Sequence, residues 1–310
     1  MKKFIYLFLF AFLFLFSLSS CKDDEIVIDD YNITVTAPSG APSIALAPLA
    51  INNEDNYNFI NADTIAAAFS SKESDFIIAP INAGAKLFKA GKSDYKLTAV
   101  ITWGNLFFAS QIEDFNLDTI NGKELILFGE GTINASIANY VLNQKGIEPS
   151  NITYLAGASN TQATLISNPE AIVMTAEPAL TAAKTQKPNI SSISVQSLYK
   201  EVSGNAEFAQ AGIFVKEDMI LNHSSLISDF LLEVKEVSDN INSKLDDLAK
   251  TCVELKLLPN ETVAKTAIPN CNIKFKDAKE VKSQIESTAK IDLAQYGGDL
   301  PSEEFYYSAF

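Results

Sequence analysis

The sequence predicts an α/β protein with mainly parallel sheets. Three observations carry that prediction. Short apolar segments recur at 75–79, 95–102, 124–128 and 171–175, as expected of strands buried on both faces. Most are followed by a loop of small residues, Gly or Pro and then by a segment of helical character, which is the order of βαβ units. From about residue 226 the pattern changes to apolar residues three and four apart, the spacing of amphipathic helices.

The chain opens with Lys2 and Lys3, an apolar run over 4–16 and then Leu18-Ser-Ser-Cys21. A basic start, a short apolar core and small residues before a cleavage point make a secretory signal peptide over 1–20. The run is short of the roughly 20 apolar residues that a membrane-spanning helix needs. Its ending resembles the bacterial lipobox. That resemblance implies that Cys21 is lipid-modified and becomes the first mature residue, and that the rest of the protein is extracytoplasmic. Residues 21–30 are acidic and form a tether.

The elements then follow in order. A β-branched strand at 33–37 is broken by Pro38-Ser-Gly-Ala-Pro42 and followed by a helix over 43–49. The strand at 75–79 leads through Pro80 and Asn82 into a helix around 85–88. The strand at 95–102 ends at Trp103-Gly-Asn105, and a short strand covers 106–110. A second unit opens near Leu117, with a strand at 124–128, the turn Gly129-Glu-Gly-Thr132 and a helix over 134–145. Strands at 152–155 and 171–175 alternate with helices at 160–167 and 179–184. Later strands fall at 193–195 and 211–215. Helices at 226–248, 251–257, 262–266 and 278–289 complete the chain, and the C-terminal third carries no strand of its own.

Composition excludes whole classes of function. The formal net charge is -14, and a surface of that sign repels nucleic-acid backbones. All 24 basic residues are Lys, so the guanidinium fork that grips sulfonate, phosphate or carboxylate is missing. An anionic ligand would have to be held by backbone N–H groups, hydroxyls or Lys. No metal site and no cofactor are expected, because His223 is the only histidine and no Cys-x-x-Cys pattern accompanies it. Cys252 and Cys271 remain as an even pair in an oxidising compartment, which favours a disulfide; two buried free thiols are the alternative.

Several segments, taken together and in order, resemble the solute-binding proteins of ABC importers. They are Ile33-Thr-Val-Thr-Ala-Pro-Ser-Gly-Ala-Pro-Ser43, Asp75-Phe-Ile-Ile-Ala-Pro-Ile-Asn-Ala-Gly84, Thr102-Trp-Gly-Asn105, Gly122-Lys-Glu-Leu-Ile-Leu-Phe-Gly129, Gln210-Ala-Gly-Ile-Phe-Val215 and the ending Gly297-Gly-Asp-Leu-Pro301 through Phe305-Tyr-Tyr307. The similarity is to the nitrate, sulfonate, taurine and thiamine-precursor branch and spans the mature chain. It implies a type II periplasmic-binding fold with two α/β lobes, a two-stranded hinge and a ligand in the cleft. Lobe 1 would comprise 31–111 and 214–310, lobe 2 would comprise 112–213, and the crossings would fall near 110–113 and 212–216. The partners it implies are a small-molecule solute and a membrane-embedded ABC permease. The protein is expected to be a monomer.

Ligands of open α/β sheets sit beyond the carboxyl ends of the strands, where helix N-termini present free N–H groups. Four loops meet that condition. They offer Ser39, Gly40 and Ala41; Asn82; Gly131 and Thr132; and Glu177. Trp103, the only Trp, is either an aromatic wall for the ligand or a packing residue. These loops contain Glu130 and Glu177 but no Lys, which favours a neutral or cationic heteroaromatic solute, such as a pyrimidine precursor of thiamine, over nitrate, a sulfonate or taurine, unless the two Glu face solvent. Two other classes stand beside the receptor. An enzyme on the same fold lacks any Ser/His/Asp set here. A surface lipoprotein for protein partners would show a large exposed apolar patch instead of a cleft.

Overall fold

Residues 31–310 are described by the structure, a computed structural model. The expected signal peptide, the lipidation site Cys21 and the tether lie outside the described residues.

Eleven strands are present among the described residues: β1 (Val35–Pro38), β2 (Tyr57–Ile60), β3 (Phe76–Pro80), β4 (Tyr95–Trp103), β5 (Leu106–Ser110), β6 (Glu124–Phe128), β7 (Asn151–Leu155), β8 (Ile172–Ala176), β9 (Ser191–Ser194), β10 (Ala209–Lys216) and β11 (Ile273–Asp277). They form two sheets, in the orders β11-β4-β10-β3-β1-β2 and β7-β6-β8-β5-β9. The sheets share one plan. In each, three parallel strands come first, β2-β1-β3 or β7-β6-β8. The strand that arrives from the other sheet is inserted next and runs antiparallel, β10 in the first and β5 in the second. A further strand pairs antiparallel with it, β4 or β9. The α/β class therefore holds, with antiparallel pairing confined to the crossing strands and their outer neighbours.

The crossings differ from the expected positions. β5, expected in the first lobe, pairs in the second sheet, so the chain leaves the first sheet after Trp103 and returns at Ala209. Gly104 makes the exit possible. Its N–H donates to the Phe208 carbonyl at 3.2 Å, and a Cβ there would lie 2.4 Å from the Phe208 ring and 1.9 Å from Gln196 Oε1. Only a residue without a side chain lets the outgoing and returning segments pass this closely.

Burial explains most elements. β3 and β4 are buried along nearly their whole length, because apolar clusters cover both faces of the first sheet. Two further strands were not anticipated. β11 alternates buried Ile273, Phe275 and Asp277 with exposed Lys274 and Lys276, and it adds an edge to the first sheet beside β4. β2 covers the opposite edge beside β1. The expected helix over 226–248 divides into Ser224–Asp239 and Leu245–Glu254. The break falls on Asn240, whose side-chain amide donates to the Glu236 carbonyl at 2.9 Å and so closes the first helix.

Cys252 and Cys271 are free thiols, which corrects the expected disulfide. Both are fully buried in one apolar cluster built on the outer face of the first sheet, with Phe230, Leu248 and Ile268. There they pack as small hydrophobes. Burial pushes the Cys252 thiol up to about 12. It drives Cys271 well above its usual range, with Glu177 and Cys252 adding to the effect. Burial thus disfavours both thiolates, the form in which a cysteine reacts. At the C-terminus the Tyr307 N–H donates to the Leu97 carbonyl at 2.9 Å, which ties the last residues to β4.

Candidate functional site

The two sheets face each other across a cleft of about 740 Å³, a volume suited to a small-molecule ligand. It lies at the carboxyl ends of strands. β1 supplies Pro38 and the loop that follows it, β3 ends there at Pro80, β6 at Phe128 and β8 at Ala176, and the loop after β7 with the start of the next helix adds 156–160. Asn105 of the first crossing and Gln210 of the returning strand lie between the halves, and 257–259 close the outer rim.

Of the residues expected at the site, Ser39, Gly40, Ala41 and Glu177 line this cleft. Gly40 holds φ 137°, a conformation that side-chain-bearing residues rarely adopt. Its N–H donates to Ser43 Oγ at 3.3 Å, and that hydroxyl donates to the Gly40 carbonyl at 2.8 Å. The loop is thereby fixed with its backbone toward the cavity.

Asn82, Trp103, Gly131 and Thr132 do not line the cleft, which corrects their expected role. Asn82 is buried and bridges the two halves instead. Its Nδ2 donates to the Gly131 carbonyl, and its Oδ1 accepts from the Ile133 N–H, both at 3.4 Å. Thr132 turns its hydroxyl to the Gly129 carbonyl at 2.6 Å. Trp103 is 3% exposed, and its indole N–H donates to the Lys274 carbonyl at 2.9 Å. It packs in the core and presents no face to a ligand; Phe128 is the aromatic residue on the cleft wall. Glu130 is exposed and lies off the cleft.

Asn82 is one member of a seam between the halves. Gln210 Nε2 donates to Asn134 Oδ1 at 3.0 Å. Ser136 Oγ donates to Asp292 Oδ2 at 2.7 Å. At another edge of the interface, the helix Glu261–Ala267 packs against the helix Ala179–Gln186.

The electrostatics of the cleft are one-sided. Among the described residues, its charged lining residues are Asp63 and Glu177, and no Lys lines it. Glu177 is 6% exposed. Its Oε2 accepts from the Thr181 N–H at 3.0 Å and its Oε1 from the Thr181 hydroxyl at 2.9 Å. The carboxylate thus occupies the N-terminus of the helix Ala179–Gln186 and cancels the partial positive charge there. Burial still pushes the Glu177 carboxyl above its ordinary range, because desolvation outweighs the Thr181 bonds and the distant Lys184 charge. Asn105 adds another acceptor. Its Nδ2 faces the carbonyls of Glu177 and Cys271, both at 3.4 Å, while its Oδ1 is buried with no hydrogen-bond partner. A buried acceptor in that state costs about 1–3 kcal/mol.

Sequence reasoning missed Asn105, Gln210, Asp63 and the segment 156–162, a short loop and the helix start that follows it. The last had a usable signal. A strand at 152–155 followed by a helix places a loop at a strand carboxyl end, the same rule that identified residues 39–41. The helix Ala158–Ser167 begins there, and Asn160 Oδ1 accepts from the Gly157 N–H at 3.1 Å. Asn105 carried no such signal, because its place depends on where the crossing falls.

No protein-family model matches the sequence, and no curated protein matches it. Solved structures do. An ABC transporter structure from Parabacteroides distasonis superposes with a TM-score of 0.75 at 19% identity, over 90% of this chain and 99% of that one. The periplasmic aliphatic sulphonate binding protein SsuA from Escherichia coli gives 0.66 at 12% identity, over 89% and 91%. The Candida albicans CA3427 gene product, described as exhibiting the generic periplasmic binding protein fold, gives 0.57 at 15%, over 89% and 93%. The chain therefore has the periplasmic binding protein fold: two α/β halves, two crossing segments and a ligand-sized cleft between them.

Proposed function

We propose that the protein is the extracytoplasmic solute-binding receptor of an ABC importer, anchored through a lipid on Cys21 and acting as a monomer that delivers its solute to a membrane permease. A single observation carries this reading. A ligand-sized cleft opens between two halves that the chain connects through two short crossings and that a seam of side-chain contacts holds at one edge, so a solute that touches both halves shifts the population toward the form that encloses it. The solved neighbours that share this architecture include transport proteins.

The cleft also supports a choice of solute. A sulfonate or nitrate would meet Asp63 and Glu177 and no lysine. A neutral or cationic solute with N–H or O–H donors meets Glu177, Asn105 and Gln210 as acceptors. The pyrimidine expectation loses its aromatic partner, because Trp103 is in the core, and gives way to this broader class.

The test is a thermal-shift screen of small polar solutes on the purified mature protein. A receptor shows a melting temperature that climbs with the logarithm of free ligand concentration and a radius of gyration that falls on binding. A protein that responds to no small solute, while capturing a macromolecular partner through its surface, is not a receptor of this kind.

A further inference from the structure

Glu177 and Asn105 lie together at the junction of the halves. The Glu177 N–H donates to the Asn105 carbonyl at 3.2 Å, and Asn105 Nδ2 points back to the Glu177 carbonyl at 3.4 Å. These reciprocal contacts join the end of β8 to the first crossing. They also decide which end of the Asn105 amide is free. Two carbonyl oxygens surround its nitrogen, from Glu177 and Cys271, so the nitrogen must be the donor there and Oδ1 is left over.

The remaining capacity of the pair consists only of acceptors. Each Glu177 oxygen takes one bond from Thr181 and keeps a second lone pair. Asn105 Oδ1, on a residue 4% exposed, has no partner. The nearest cation acting on Glu177 is Lys184, but its Nζ donates to Ser192 Oγ at 2.8 Å and the residue does not line the cleft. Both residues line the cleft, and among the described residues no cation lines it with them.

We propose that Glu177 and Asn105 form an ammonium subsite, so that the solute carries a protonated amine or amidine and enters with that group toward the junction of the halves. This deepens the receptor reading above and rests on it. An ammonium brings three donors and one positive charge, which matches an acid and an amide oxygen. A neutral hydroxyl would satisfy the hydrogen bonds and leave the buried carboxylate charge uncompensated. An anion would add repulsion. Because Asn105 belongs to a crossing and Glu177 to the second sheet, a cation held by both also couples binding to the relative placement of the halves.

The experiment is calorimetric titration of the mature protein and its Glu177→Gln and Glu177→Asp variants with ethanolamine, putrescine and agmatine, and with ethanesulfonate and nitrate. Circular dichroism confirms that each variant is folded. The expected result is binding of at least one amine and neither anion, with affinity reduced at least tenfold in Glu177→Gln and largely kept in Glu177→Asp. Anion binding that Glu177→Gln leaves unchanged overturns the subsite while the receptor reading stands. Silence toward all three amines, in a protein that responds to another small solute, overturns it in the same way. Silence toward every small solute overturns the receptor reading and the subsite together.

Discussion

The seam and the cleft lie beside each other between the same two halves, yet their polar groups are in opposite states. Along the seam, Asn82 meets Gly131 and Ile133, Ser136 meets Asp292, and Gln210 meets Asn134. These contacts hold the halves together with the protein's own groups. In the cleft, Glu177 is desolvated and Asn105 Oδ1 is unpaired. The difference teaches that the interface divides its work. Asn82 and Ser136 are paired without a guest, whereas Asn105 Oδ1 in the cleft and Gln210 Oε1 at its border have no partner.

Breaking the seam gives the largest effect on the empty protein. Asn82→Ala leaves the buried Ile133 N–H without its acceptor and is expected to destabilise the protein by about 1–2 kcal/mol, read as a lower denaturant midpoint with the slope unchanged. Ser136→Ala removes a hydrogen bond to a carboxylate whose oxygens reach solvent more easily, and the loss is about 1 kcal/mol or less. If both variants match the wild type, the seam contributes nothing.

Changing the cleft has the opposite sign in the empty protein. The folded-state pKa of Glu177 lies above its unfolded value near 4.5. Its protonated form therefore stabilises the fold fully below that unfolded value, and the contribution fades as pH rises through the folded pKa. Glu177→Gln removes this dependence. The variant should gain stability relative to wild type as pH increases above 4.5, measured as the difference between their denaturation curves. A gain that appears on acidification instead contradicts the account of the cleft carboxyl.

The smallest expected effect concerns Trp103. Because its indole is bonded to the Lys274 carbonyl inside the first half, its emission maximum should stay within a few nanometres on solute binding, an order-of-magnitude bound set by burial away from the ligand. A large quench or blue shift on titration would place the ring at the cleft after all.

Much of the fold was legible because its signals are local. The apolar segment 124–128 is a strand with the predicted bounds, and the helix over 134–145 begins one residue earlier than its pattern indicated. β11 carries a local signal, since Ile273 and Phe275 alternate with lysines, but it is a five-residue strand set among helices, where so short a period of two stands out little. The site divided along the same line. The loops at 39–41 and 177 follow from the geometry of strand ends. Asn82 and Thr132 have the same local look, small polar residues at a helix start, but their groups are satisfied by the seam or by their own turn. That outcome depends on tertiary contacts. Asn105 depends on the crossing falling at Gly104, which is a matter of how closely Phe208 approaches. Cys252 and Cys271 satisfied the compartment argument for a disulfide, and packing decided otherwise.

The most direct test of the central claim is to extract the protein from its native cell, release whatever small molecule travels with it and identify that molecule by mass spectrometry. The account predicts a solute with a protonated nitrogen and several donors, present near one per protein. A sulfonate, nitrate or other purely anionic guest in that position would contradict it.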